Sequence, residues 1–343
     1  MKSVIKSHFA GIPVGLLLAL TSAANASLTN DLVFYAPFSA TMNDVQNGGV
    51  ATVHGAATRL DSGGACGGFL SLQNSTNIVP EQFIDFPDVV IGTNDFSVQI
   101  WVRSTDPRAA QAEDDVAFFS NKDWNSGWNP GWVLALGDHY WLTNRFEWNL
   151  SGLTFGRCDF DPTGRNALVF DGRWHQIVVT HARAVDAVFY VDGAFIGSAD
   201  ISGFAGDTVN AGLRLALGND GTGSYAHGDG SSYNGDLDEA AIWLRVLTPQ
   251  EVSEVYQNAA QGIDLYGNGG PRCMYLTNAC VIGTNFVFML QTLSNLSYTI
   301  EYNDDLGTTN WKCYDARTGD GSLVPCCLPM TNSLHRFFRA RQP

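Results

Sequence analysis

The 343-residue chain carries 34 acidic and 19 basic residues, a net charge of −15, with 36 glycines, nine tryptophans and 15% charged residues. So acidic a surface repels nucleic acid and anionic membrane. Few charges beside many glycines and aromatics favour short strands and turns over helices, which draw on Glu, Lys and Ala. The length suffices for two domains, or for one large β domain with an added module.

Residues 1–26 read as a cleavable export signal. Lys2 and Lys6 precede the apolar run IPVGLLLALTSAA, and small residues ending at Ala26 form the cleavage site. The run is too short to span a bilayer and no longer one follows, so a secreted chain starting near Ser27 is expected, with no membrane span. Losing the two lysines takes the charge from −15 to −17 and leaves Lys122 and Lys312 as the lysines, beside 15 arginines. Seven cysteines fit an oxidising compartment: Cys66, Cys158, Cys273, Cys280, Cys313, Cys326 and Cys327. With no CxxC pair and no zinc-like Cys/His spacing, they are expected to form disulfides, at least one of them in the C-terminal part.

From about residue 31 to 247 short alternating runs are separated by Gly, Asp and Asn turns. FSVQIWVRS places Phe96, Val98, Ile100 and Val102 on one face, as a half-buried strand requires. WHQIVVTH and AVFYVDGAFIG follow, the second turning at Asp192-Gly193, a pair that accepts the positive φ angles of a type I′ hairpin. GLRLALG and LDEAAIWLRVL read as further strands. Such a series predicts an all-β antiparallel sandwich or jelly roll. In LTPQEVSEVYQNA, Thr248 is the N-cap, Pro249 the first helical residue and Glu251 the capping-box partner, so one short helix is expected on the sandwich edge. Apolar periodicity then lapses, giving a linker at 263–272. Residues 273–343 are expected to form a smaller Cys-rich β domain of a size that needs disulfides.

The stretch DGRWHQIVVTHARAVDAVFYVDG (171–193) resembles the signature of the laminin-G-like branch of the concanavalin-A-like lectin/glucanase superfamily. Gly218-Asn219-Asp220, GDLDEAAIW and LTPQE follow in that family's order, and the resemblance covers roughly residues 31–262. It implies a jelly-roll domain at 27–262. The first strand of the signature ends THARAVDA where the family has T-F-D or similar. The tail YTIEYNDDLGTTNWKCYD…HRFFRARQP more weakly resembles a small β-sandwich appended to many large secreted bacterial proteins.

The superfamily holds glucanases as well as lectins. Retaining glucanases need two carboxylates about 5 Å apart on one strand face, in a pattern like E-x-D-x-x-E. Glu147 and Glu301 do not complete it, and Asp238-Glu239 are adjacent, so on a regular strand they point to opposite faces. A non-catalytic protein is therefore expected. His175 and His181 share a strand face but lack a third ligand, and read as packed or hydrogen-bonded histidines.

Calcium is the metal candidate, because GNDGTGSYAHGDGSSYNGD (218–236) supplies several oxygens in a glycine-rich loop. The resemblance, through the more distant pentraxins, points to Asn219 and Asp220. Asp123 is expected to approach them and share the cation. Asp238, with carbonyls near Asn43-Asp44, is a second, structural candidate. In SNKDWNSGWNPGW (120–132), Trp132 opens the next strand and is expected in the core. Trp124 and Trp128, with Asn129 and with Tyr225 from the neighbouring loop, form the candidate ligand site, since an indole among amides suits the C–H face of a pyranose. Trp124 has the competing reading of a loop anchor. The expected function is a secreted carbohydrate-binding or adhesion protein whose partner is a polysaccharide or glycan. A structural or extracellular-protein interaction module and a divergent glycoside-cleaving enzyme are the alternatives.

Overall fold

A computed structural model describes residues 27–74, 81–106, 115–137, 144–162, 168–225, 232–267, 276–291, 297–305, 307–308, 310–318, 323–329 and 336–341. The expected export signal at 1–26 and Cys273 lie outside these residues. In chain order the strands of the larger domain are β1 (Leu32–Ala36), β2 (Thr52–His54), β3 (Thr58–Leu60), β4 (Phe69–Leu72), β5 (Phe83–Phe86), β6 (Phe96–Arg103), β7 (Val116–Ser120) and β8 (Gly131–Leu136). They continue with β9 (Phe146–Ser151), β10 (Arg157–Phe160), β11 (His175–His181), β12 (Asp186–Val191), β13 (Ala194–Asp200), β14 (Leu215–Leu217) and β15 (Gly235–Trp243). An eight-stranded sheet runs β13-β12-β11-β6-β15-β4-β3, with β1 also on β15; a seven-stranded sheet runs β10-β9-β8-β7-β14-β5-β2. Neighbours distant in sequence, such as β6 beside β15 and β7 beside β14, make this a jelly roll.

Strand alternation decides what each face carries. Phe96, Val98, Ile100 and Val102 of β6 all enter the core shared with Trp132, Trp148 and Phe119. The β12–β13 hairpin turns at Asp192 (φ 52°) and Gly193 (φ 74°), the type I′ geometry its sequence predicts. Helix α1 (Pro249–Ala260) is closed by the capping box of Thr248 and Glu251. It lies across the outer face of the eight-stranded sheet rather than on its edge. That face carries Tyr35, Val178, Tyr190 and Trp243, which Val252 and Val255 cover, while Tyr256 stacks on Trp101 at 5.6 Å. Residues 263–267, expected to open the linker, dock on the same face: Leu265 N–H donates to the Tyr35 hydroxyl at 3.3 Å and the Tyr266 hydroxyl to Gln46 at 2.6 Å.

The smaller domain has strands β16 (Leu276–Ile282), β17 (Asn285–Gln291), β18 (Ser297–Asn303), β19 (Lys312–Thr318), β20 (Leu323–Pro329) and β21 (Phe337–Arg341). They form two three-stranded sheets, β16-β17-β20 and β19-β18-β21, around Phe288, Leu290, Tyr298, Ile300, Cys326 and Leu328. The expected disulfide is absent among the described residues of this domain, where Cys280, Cys313, Cys326 and Cys327 are thiols. Registry explains one pair. Cys280 and Cys327 both lie opposite Val287, one on each side of β17. Two inter-strand steps separate them by roughly 9–10 Å, beyond the 7 Å reach of a disulfide.

Candidate ligand-binding site

The loop 121–130 folds back over the outer face of the seven-stranded sheet. Trp124 packs on Ala117, Val133, Ala135 and Tyr225, and its indole N–H donates to the Asp115 carbonyl at 2.9 Å. The Tyr225 hydroxyl donates to Asp115 Oδ1 at 2.7 Å. Lys122 runs beneath the loop, donating to the Gly127 carbonyl at 3.2 Å and to Asn149 Oδ1. Its ammonium stands 5.2 Å from the Trp124 ring. Burial lowers the Lys122 pKa to about 7; Asp159 opposes this and Arg157 reinforces it. A Cβ on Gly127 would sit 2.5 Å from the Arg157 guanidinium, the far end of a flexible side chain that can swing aside.

The loop's aromatic residues thus separate by role. Trp132 is 0% exposed, Trp124 6% and Tyr225 7%, whereas Trp128 is 66% exposed. Trp124 and Tyr225 are anchors and present no ring face, a correction to their expected role as ligand platforms. Trp128 stands at the tip, its N–H held by Ser126 Oγ at 3.2 Å. Asn129 beside it turns its amide inward, donating to the Asp123 carbonyl at 3.0 Å.

The 218–225 loop meets this one, but through protein bonds. Asp220 is buried; its Oδ2 accepts from Trp124 N–H at 2.9 Å, and its Oδ1 accepts from the Thr222 N–H and hydroxyl at 3.0 and 2.6 Å. Asn219 donates to Ser232 at 2.7 Å and to Glu81 at 3.2 Å. Asp123 turns to Asn125, accepting from its N–H at 3.0 Å and its amide at 2.9 Å. These residues are neighbours, yet among the described residues no three acidic, His or Cys side chains converge as a metal centre.

Asp238 is buried beneath residues 64–68, accepting from Cys66 N–H at 3.0 Å and Glu239 N–H at 2.9 Å. Glu239 sits at φ 51° within a β-bulge, so strict alternation is broken and both carboxyls end up buried. Burial raises both pKa values well above the carboxylate range, and the charge of Asp238 adds to that at Glu239. Closed to solvent, the pair has no access to a glycosidic bond.

His175 links Asp192 (2.8 Å) and Asp171 (3.1 Å). Burial alone would lower its pKa, but these two carboxylates raise it. His181 is buried against Phe96 at 3.7 Å, and burial, with Arg183 nearby, pushes its pKa well below the usual value. Arg183, in the segment where the chain departs from the family pattern, donates to the carbonyls of Phe204 (2.9 Å) and Asp207 (2.8 Å).

The chain belongs to the concanavalin A-like lectin/glucanases superfamily, whose family model matches residues 80–253. No curated protein matches it. Among solved structures it is similar to the binding domain of Paraclostridial Mosquitocidal Protein 1, at a TM-score of 0.56 and 17% identity over 89% of this chain and 69% of that one. It is also similar to the botulinum neurotoxin serotype G binding domain, at 0.51 and 13% over 90% and 81%, and to the receptor binding domain of botulinum neurotoxin D, at 0.52 and 12% over 77% and 64%. At these identities the likeness is one of fold.

Proposed function

We propose that this is an exported, non-catalytic glycan-binding protein whose jelly roll presents Trp128 as the stacking platform for a sugar ring. The observation that carries this reading is the contrast within one loop: two tryptophans are sunk to fix the backbone and the third is held out at the tip. A large apolar side chain exposed on a rigid loop loses little entropy on binding, and an indole face suits a pyranose. The similar toxin folds are binding domains, which supports a binding role. The burial of Asp238 and Glu239 argues against the glycosidase alternative. Calcium is not needed to pin the loops, since Asp220 already bridges them. Glycan-array binding by the full chain and its Trp128→Ala variant tests the reading. Loss of bound glycans at unchanged melting temperature supports it, and equal binding by both proteins refutes the platform.

A further inference from the structure

At the other end of the sandwich, Gln73, Arg103, Ser104, Thr105, Asn234 and Asp236 line an open cavity of about 240 Å³. The two ends are set by β6. At its start, Asp95 accepts from Arg183 N–H at 2.8 Å, and Arg183 reaches Asp207, which in turn accepts from Phe155 N–H at 2.7 Å. That end therefore carries the 152–156 turn next to the Gly127–Ser151 contact below Trp128. At its finish, Ser104 donates to the Asn234 carbonyl at 2.6 Å and accepts Gly172 N–H on its own carbonyl at 2.9 Å. Eight residues of strand separate the ends by roughly 25 Å.

The cavity wall is rigid. The Arg103 guanidinium lies 4.9 Å from the Phe69 ring and 4.6 Å from the Trp174 ring. It donates to the Gly63 carbonyl at 3.3 Å and, through Nε and Nη2, to Asp236 Oδ2 at 2.9 and 2.8 Å. Asp236 Oδ1 takes no part in that fork. Thr105 and Asn234 side chains make no hydrogen bonds among the described residues. Because the carboxylate and guanidinium compensate one another, an anion would meet Asp236 and a cation would meet Arg103. A neutral group with several hydroxyls satisfies both, using Asp236 and Asn234 as acceptors and Arg103, Thr105 and the Asn234 amide as donors. The volume lies below the roughly 300–1,000 Å³ typical of drug-sized ligands, which limits the occupant to one small unit.

We infer that this cavity is a second binding site, taking a single neutral sugar residue and acting independently of Trp128. The probes are the methyl glycosides of glucose, galactose and mannose at about 10 mM, where a lone sugar in such a site is expected to bind. Saturation-transfer NMR is recorded on the full chain and on its Trp128→Ala, Asn234→Ala and Gln73→Ala variants. The inference predicts transfer to at least one glycoside in the wild-type and Trp128→Ala proteins. It predicts at least tenfold weaker binding in Asn234→Ala at unchanged melting temperature. Gln73→Ala, an exposed side chain, is expected to weaken binding as well and serves if Asn234→Ala alters the fold. No transfer in the wild type, transfer lost only with Trp128, or undiminished transfer in both cavity variants overturns it. Failure of the Trp128 reading leaves cavity binding in place, so the two outcomes are distinguishable.

Discussion

The backbone N–H of Trp124 donates to Asp220 Oδ2 at 2.9 Å, joining two loops that lie 96 residues apart in the chain. The return bond from Gly221 N–H to the Lys122 carbonyl, 2.8 Å, makes the junction reciprocal. A hydrogen bond to a buried charged group is worth about 1.5–3 kcal/mol, and removing the acceptor leaves the Trp124 N–H without its partner. Asp220→Ala is therefore expected to lower stability by about 2 kcal/mol and to expose Trp124, read as a red shift of tryptophan fluorescence. A variant with wild-type melting and emission would show that the junction is incidental.

The three tryptophans should differ in cost. Trp132→Ala empties a site between Phe96 and Phe119 and is expected to cost about 3–5 kcal/mol. Trp124→Ala, covered by one loop, should cost about 2 kcal/mol. Trp128→Ala should stay within about 0.5 kcal/mol, as a surface change does. Denaturant midpoints rank them, and a Trp128 cost matching that of Trp132 would make the exposed indole an anchor.

Lys122 gives a pH signature. Its folded pKa of about 7 lies below the ordinary 10.5, so between those values the unfolded chain binds more protons at this site. Stability from this group therefore rises as pH climbs through that window, by at most about 1.4 kcal/mol per pH unit. Lys122→Met lacks the effect. The melting-temperature difference between wild type and variant is expected to shift in favour of the wild type from pH 7 to 10. A difference that stays flat contradicts a buried lysine.

Asp220 already joins the two loops through its N–H and O–H donors, so melting in EDTA and in millimolar Ca²⁺ is expected to coincide. A Ca²⁺-dependent rise reversed by EDTA would assign a cation to these loops through linkage to the native state.

What the sequence made legible was local. The alternation of β6, the Asp192-Gly193 turn and the Thr248/Glu251 capping box are each written in fewer than ten neighbouring residues. Burial of Trp124 and Tyr225 was not, because it depends on two loops folding back over β7 and β8. Asp238 and Glu239 escaped for a related reason: the bulge that puts Glu239 at positive φ breaks the alternation that a regular strand would impose. Lys122, one of two lysines beyond residue 26, was the one available hint of a loop anchored from beneath.

The central claim, that this jelly roll binds a glycan through Trp128, is tested most directly by comparing wild-type and Trp128→Ala proteins on one glycan array. Both should melt at the same temperature. The wild type is predicted to retain a defined set of glycans, and Trp128→Ala to lose at least tenfold in apparent affinity for them. Glycan binding unchanged by Trp128→Ala, or a folded wild type that retains no glycan at all, would contradict the account.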